Sequence, residues 1–156
     1  MPSPRVRVFL DTSALFAGIW SEEGAARAIL KLGEMGVIRI LISPQVLAEI
    51  EAVVRRKAPH LLSPMALLLD AANVEVTPHP SPDARQQAAR LVTHPGDVLV
   101  LAAALDAQPD YFVTLDKAHF LSNTLLADAL PFPLGTPGDF LSWWRAIIQG
   151  AGGEER

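Results

Sequence analysis

Four carboxylates in this chain stand where chemistry could use them. Asp11 closes the apolar run Val8-Phe9-Leu10, and Asp116 follows Tyr111-Phe112-Val113-Thr114-Leu115. Glu49 lies within Pro44-Gln45-Val46-Leu47-Ala48-Glu49-Ile50, and Asp97 opens the apolar stretch Val98 to Leu105. Each has an ordinary structural explanation on its own. An aspartate after a strand caps a helix or forms a turn. A carboxylate at a helix N-terminus is favoured by the helix dipole, and Glu49 beside Glu51 could be a solvated position. Taken together they allow another reading. Two carboxylates ~6 Å apart at an effective dielectric of about 20 repel by roughly 3 kcal/mol. A cluster of four would raise its own pKa values or weaken the fold. A hard divalent cation with oxygen ligands removes that conflict. No histidine lies within three residues of Asp11 or Glu49, whereas His94 and His119 each stand three residues from an acid, close enough for contact. An all-oxygen ligand set favours Mg²⁺ or Mn²⁺ over zinc. The chain has no cysteine, which excludes a disulfide framework, a thiolate zinc site and a cysteine nucleophile.

The elements that would position these acids are marked by proline. Ser43-Pro44, Ser63-Pro64, Ser81-Pro82 and Thr136-Pro137 each precede a helix-compatible segment, the pattern of an N-cap followed by proline in the first turn. Ser3-Pro4 precedes a strand-like segment instead. Strands are expected over Arg5–Leu10, Val37–Ile42, Val74–Val76, Tyr111–Thr114 and Phe132–Leu134. Helices are expected over Ser13–Met35, Pro44–Lys57, Pro64–Ala72, Pro82–Val92, Asp97–Ala107 and Pro137–Gln149, with a short one before the last strand. Gly36 stands where a helix C-cap is wanted. Alternating strands and helices imply an α/β fold with a mostly parallel sheet covered on both faces. In such a sheet ligands bind beyond the carboxyl ends of the strands, which is where Asp11 and Asp116 fall. The nearly all-apolar Asp97 helix should be central and buried.

Other acid-bearing α/β folds fit less well. A receiver-type phosphoacceptor needs an acidic pair after its first strand, and only Asp11 is there. A haloacid-dehalogenase-type phosphatase needs a second aspartate where Ser13 stands. Thr12-Ser13-Ala14-Leu15 is not the glycine-rich turn of a dinucleotide site.

The strings Phe9-Leu10-Asp11-Thr12-Ser13-Ala14-Leu15, Leu47-Ala48-Glu49-Ile50, Pro95-Gly96-Asp97-Val98-Leu99-Val100-Leu101-Ala102-Ala103-Ala104 and Phe112-Val113-Thr114-Leu115-Asp116-Lys117, in this order, resemble the PIN-domain nucleases, in particular their bacterial toxin-like branch. The resemblance covers about Arg5 to Ile148. The domain is expected over residues 1–149, and the Gly- and Glu-rich composition of 150–156 predicts a disordered tail. The resemblance implies a three-layer α/β/α sandwich with a parallel central sheet. It implies that Asp11, Glu49, Asp97 and Asp116 hold Mg²⁺ or Mn²⁺, that Ser13 and Thr114 support them, and that the reaction is metal-assisted hydrolysis of RNA phosphodiester bonds. Glu49 would be a ligand or a base for the attacking water. The resemblance further implies a small antitoxin protein that blocks the site, and a homodimer. The alternative is a PIN-like RNA- or protein-binding module that no longer cuts. Two departures stand out: Leu115 replaces a frequent glycine, and Val100 and Leu101 stand where many members carry a further acid.

Charge gives no independent support for a nucleic-acid partner. The formal net charge is −4, from 13 basic and 17 acidic residues; without the four candidate acids the balance is 13 against 13. Arg55-Arg56-Lys57 suits the C-terminus of the Glu49 helix, and it could also reach a phosphate; Lys117 has the same two readings. Trp143-Trp144 is expected to pack under the last helix. No signal-like start is visible, and the longest apolar run, Val98–Leu105, is too short to span a bilayer. A soluble cytoplasmic protein without membrane contact is therefore expected.

Overall fold

The computed structural model describes residues 5–154; Ser3-Pro4 and residues 155–156 lie outside them. In chain order the elements are β1 (Val6–Leu10), α1 (Thr12–Trp20), α2 (Ala25–Glu34), β2 (Ile38–Ile42), α3 (Pro44–Lys57), a 3₁₀ turn (Pro59–Leu61), α4 (Leu62–Ala71), β3 (Glu75–Val76), α5 (Pro82–Ala89), α6 (Pro95–Ala107), β4 (Tyr111–Val113), a π-helical turn (Lys117–Leu121), α7 (Thr124–Ala129), β5 (Leu134–Gly135) and α8 (Pro137–Glu154). The five strands pair in the order β3-β2-β1-β4-β5, and every pairing is parallel. Parallel neighbours need crossover connections, and the helices supply them, giving a three-layer α/β/α sandwich.

The strand order places the site. The chain builds β1, β2 and β3 outward in one direction, then returns to add β4 on the other side of β1. The crevice between β1 and β4 is thus the topological switch point, where loops leave the sheet in opposite directions. These two strands are also its apolar centre. Val8, Phe9, Leu10, Phe112 and Val113 are buried, and Phe9 stacks on Phe112 with ring centroids 5.4 Å apart. Asp11 therefore follows the fully buried end of β1, tied to β4 by its own N–H, which donates to the Val113 carbonyl at 3.1 Å.

Local signals explain most element ends. Ser43 and Ser81 cap α3 and α5 through their hydroxyls, with Pro44 and Pro82 in the first turn. Thr136 and Asp139 form a reciprocal capping box: the Asp139 N–H donates to Thr136 Oγ1 at 3.1 Å and the Thr136 N–H to Asp139 Oδ2 at 3.0 Å. Gly36, at φ 74°, closes α2 in a Schellman motif, the Val37 N–H reaching the Leu32 carbonyl and the Gly36 N–H that of Gly33. Gly33 permits a close approach, because a Cβ there would lie 2.6 Å from Ile40 Cδ1 and 2.8 Å from the Ala72 carbonyl oxygen.

Three expectations are corrected. Ser63 is not a cap. The 3₁₀ turn runs directly into α4, which starts at Leu62, so Pro64 falls within its first turn, where a missing N–H removes no helix bond. The Asp97 helix starts at Pro95 with His94 as its cap, making Asp97 its third residue. The last helix continues to Glu154, beyond the expected end at Gln149 and into the glycine-rich stretch, since adding a residue to a formed helix needs no new nucleus. The helices expected over Ser13–Met35 are two in number, separated around Gly24 at φ 104°. Trp143 packs on Tyr111 and Phe140, and Trp144 is partly buried against the same core. Among the described residues no helix is long and apolar enough to cross a membrane.

Candidate metal centre

Four separate parts of the chain bring the four acids to one place. Asp11 comes from the end of β1, Glu49 from the second turn of α3, Asp97 from the first turn of α6, and Asp116 from the segment after β4. All four line one cavity of about 370 Å³, together with Thr12, Ser13, Phe16, Val53, Lys57, Val100 and Phe120. Val100, standing where a further acid was absent from the sequence, gives the cavity an apolar wall.

Asp11 is the most enclosed of the set, at 4 % exposure. It caps α1, with Oδ1 accepting from the Ala14 N–H at 2.9 Å and from Ser13 Oγ at 2.7 Å, while Oδ2 accepts from Thr114 Oγ1. Burial pushes its pKa up to about 6, against the pull of the three donors, with Asp116 adding to the rise. The two hydroxyls also hold the neighbouring loop. Ser13 Oγ accepts from the Leu115 N–H and Thr114 Oγ1 from the Asp116 N–H, each at 3.0 Å. Thr114 thus joins Asp11 to the backbone of Asp116 across the β1–β4 crevice. Leu115 fits because its backbone does not take the left-handed conformation that would call for glycine.

Replacing Thr114 by valine keeps the shape and removes the hydroxyl. The Asp116 N–H then loses its acceptor and Asp11 Oδ2 loses its donor. Thr114→Val is expected to lower stability by about 2 kcal/mol, read as a Tm several degrees below the unsubstituted protein in a thermal melt.

Glu49 is half-buried and held at both oxygens. Thr12 Oγ1 donates to Oε2 at 2.7 Å and Gln45 Nε2 to Oε1 at 2.8 Å. Gly96 lies close by, and a Cβ there would come 3.2 Å from Glu49 Oε1. Asp97 differs from both. Its Oδ2 is buried and has no hydrogen-bond partner among the described residues. His119 Nδ1 is 3.0 Å from that oxygen and 3.1 Å from Asp116 Oδ2; the distance to Asp97 is that of a hydrogen bond, but the direction is not. Burial raises the Asp97 pKa, with Asp116 and Glu49 adding to the rise and His119 and His94 opposing it. A buried, unpartnered carboxylate oxygen facing a second carboxylate is suited to a cation.

The acids do not form an even cage. One ligand atom each from Asp97, Asp116 and His119 fall within 4.8 Å of one another, while Asp11 and Glu49 face the same cavity with their oxygens already accepting hydrogen bonds. His119 entered the sequence reading only as a contact three residues from Asp116. The signal was that spacing, which the π-helical turn converts into proximity. Asp116 caps this turn, its Oδ1 accepting from the His119 N–H at 3.0 Å.

An all-parallel α/β/α sandwich with an acidic cleft at the β1–β4 switch point defines the class. The chain belongs to the PIN-domain family, whose model matches residues 7–118. Its fold is similar to that of VapBC2 from Rickettsia felis, solved bound to a DNA fragment from their promoter, with a TM-score of 0.58 and 19% identity over 83% of this chain and 97% of that one. VapC20 of Mycobacterium tuberculosis, a sarcin-ricin loop cleaving toxin, matches at a TM-score of 0.49 and 21% identity, over 71% of this chain and 91% of that one. No curated protein matches the chain.

Proposed function

We propose that this protein is a divalent-metal-dependent ribonuclease acting as the toxin of a toxin–antitoxin pair. The observation that carries the nuclease reading is the convergence of Asp11, Glu49, Asp97 and Asp116 on one cavity, with Asp97 Oδ2 buried and unpartnered. Membership in the PIN-domain family supports it. The resemblance to the toxin-like branch, and the fold shared with VapBC2, support an antitoxin protein as partner. A homodimer belongs to the same reading, as does Mg²⁺ or Mn²⁺ as the ion.

Asp97 and Asp116 would hold the ion, with Asp11 and Glu49 completing its surroundings. A divalent cation there supplies Lewis acidity toward a phosphoryl oxygen and lowers the pKa of water. The chain's own groups do the rest. Ser13 and Thr114 fix the Asp11 carboxylate and the backbone at Asp116 as one unit. Thr12 and Gln45 hold Glu49 with both oxygens as acceptors, so it can orient a water and take its proton. Phe16, Val53, Val100 and Phe120 keep part of the cleft apolar, which strengthens electrostatic contacts inside it. Among the described residues Lys57 is the only basic side chain lining the cavity, with Nζ 5.8 Å from the centroid of Phe16.

The test is cleavage of an end-labelled RNA with Mn²⁺ or Mg²⁺, with EDTA, and with Asp116→Asn. Cleavage that needs the ion and is lost in the variant is expected. No cleavage with any divalent ion, or full activity in Asp116→Asn, contradicts the nuclease reading, and RNA or protein binding without cleavage would then favour a binding module. Lys57→Met in the same assay is expected to raise KM for RNA about tenfold, as loss of one charge-assisted phosphate contact would, without weakening metal binding.

A further inference from the structure

We propose that His119 is a ligand of the metal centre through Nδ1, making the site a mixed nitrogen–oxygen site that prefers Mn²⁺ and its first-row neighbours to Mg²⁺. The inference rests on the metal-dependent reading above and deepens it. It starts from which ligand atoms remain free. Asp11 accepts three hydrogen bonds and both Glu49 oxygens have donors. Asp116 Oδ1 accepts from the His119 N–H. Asp97 Oδ2 has no hydrogen-bond partner, Asp116 Oδ2 faces only His119 Nδ1 among the contacts described, and His119 Nδ1 faces both.

The separations suit coordination. Ligand atoms at right angles around an ion, each at a bond length of about 2.1 Å, stand ~3.0 Å apart. His119 Nδ1 is 3.0 Å from Asp97 Oδ2 and 3.1 Å from Asp116 Oδ2, and one ligand atom each of the three residues fit within 4.8 Å of one another. The ring is also held. His94 stacks on it with centroids 5.9 Å apart and planes 15° from parallel, while His94 Nδ1 is taken by the Gly96 N–H at 3.2 Å. His94 therefore steadies the imidazole without competing through that nitrogen. Imidazole nitrogen suits first-row transition ions, whereas Mg²⁺ keeps to oxygen ligands and its own waters.

The test is Mn²⁺ binding followed by electron spin resonance, with pulsed detection of ¹⁴N coupling, on the full chain and on His119→Ala and Asp97→Asn. His119 is half-exposed, so its truncation should spare the fold, and a thermal melt checks this. Bound Mn²⁺ in the unsubstituted protein is expected to show ¹⁴N coupling. His119→Ala should lose it and bind Mn²⁺ about tenfold or more weakly, with Mg²⁺ affinity, read by competition, changed much less. Mn²⁺ bound without ¹⁴N coupling, coupling that survives in His119→Ala, or tighter Mn²⁺ binding in that variant would overturn the assignment. The last outcome would mean that the His119 side chain obstructs the cation's place. In each of these cases the four-acid site stands. Failure of the unsubstituted protein to bind Mn²⁺ would defeat the metal-dependent reading together with this inference.

Discussion

Asp97→Asn is expected to leave the fold intact and to reduce RNA cleavage at least about a thousandfold, some 4 kcal/mol of barrier. Asp97 sits in the first turn of α6, and its Oδ2 makes no hydrogen bond that the fold depends on. The amide keeps the shape of the side chain. It loses the charge where Asp116, Glu49 and His119 all bear on it, and it can turn an N–H donor toward the place of a cation. A metal's contribution to phosphoryl chemistry is worth several kcal/mol, so loss of a principal ligand removes most of it. The check is a single-turnover rate at saturating Mn²⁺ alongside a circular-dichroism melt. A residual rate within tenfold of the unsubstituted protein, with the fold intact, would remove Asp97 from the site.

The second large effect is on stability. The Asp11 carboxyl is raised from its ordinary 3.8 to about 6 by burial. Between these values the folded chain binds more protons than the unfolded chain, so metal-free stability falls as pH rises through that window and levels off above about 6. At 1.36 kcal/mol per pH unit, the gap amounts to about 3 kcal/mol. Denaturant titrations with EDTA at pH 4, 5, 6 and 7.5 would display the decline attributable to this group as the difference between the unsubstituted protein and Asp11→Asn. At pH 7.5 the metal-free variant should be the more stable of the two, and near pH 4 the advantage should vanish. The amide can still accept from Ala14 and Ser13 and can donate to Thr114 Oγ1, so the comparison stays close to the charge alone. Parallel curves for the two proteins at every pH would contradict the raised pKa. Divalent ions should offset the penalty at pH 7.5, because a cation compensates the buried charge.

Different kinds of information made different parts of this protein legible. Asp11 and Asp116 could be read because a buried parallel strand is a short apolar run, and the first carboxylate after it lies at the sheet edge where ligands bind. Asp97 could be read because it opens the apolar stretch Val98–Leu105, within the first turn of α6. Glu49 has no such local mark, since its α3 position is as ordinary as that of Glu51, which merely pairs with Arg55. Its apolar neighbours made it a candidate, and resemblance to a family pattern gave it weight. The order of the strands was not legible, because alternation of strand and helix implies parallel pairing but not which strands are neighbours. The convergence of residues from β1, α3 and α6 and of the segment after β4 follows from that order. His119 was legible only as a contact of Asp116, because a π-helical turn has no periodicity that would place its imidazole against Asp97 as well. The cap at Ser63 misled because the preceding turn, Pro59–Leu61, had already set the chain on a helical path.

The claim underlying all of this is that the four acids share one divalent ion site. Anomalous scattering from a crystal grown with Mn²⁺ tests it most directly. The prediction is a peak in the cleft between Asp97 and Asp116, within reach of Asp11 and Glu49. A Mn²⁺-saturated crystal whose peaks all lie elsewhere, with this cleft holding only water, would contradict it.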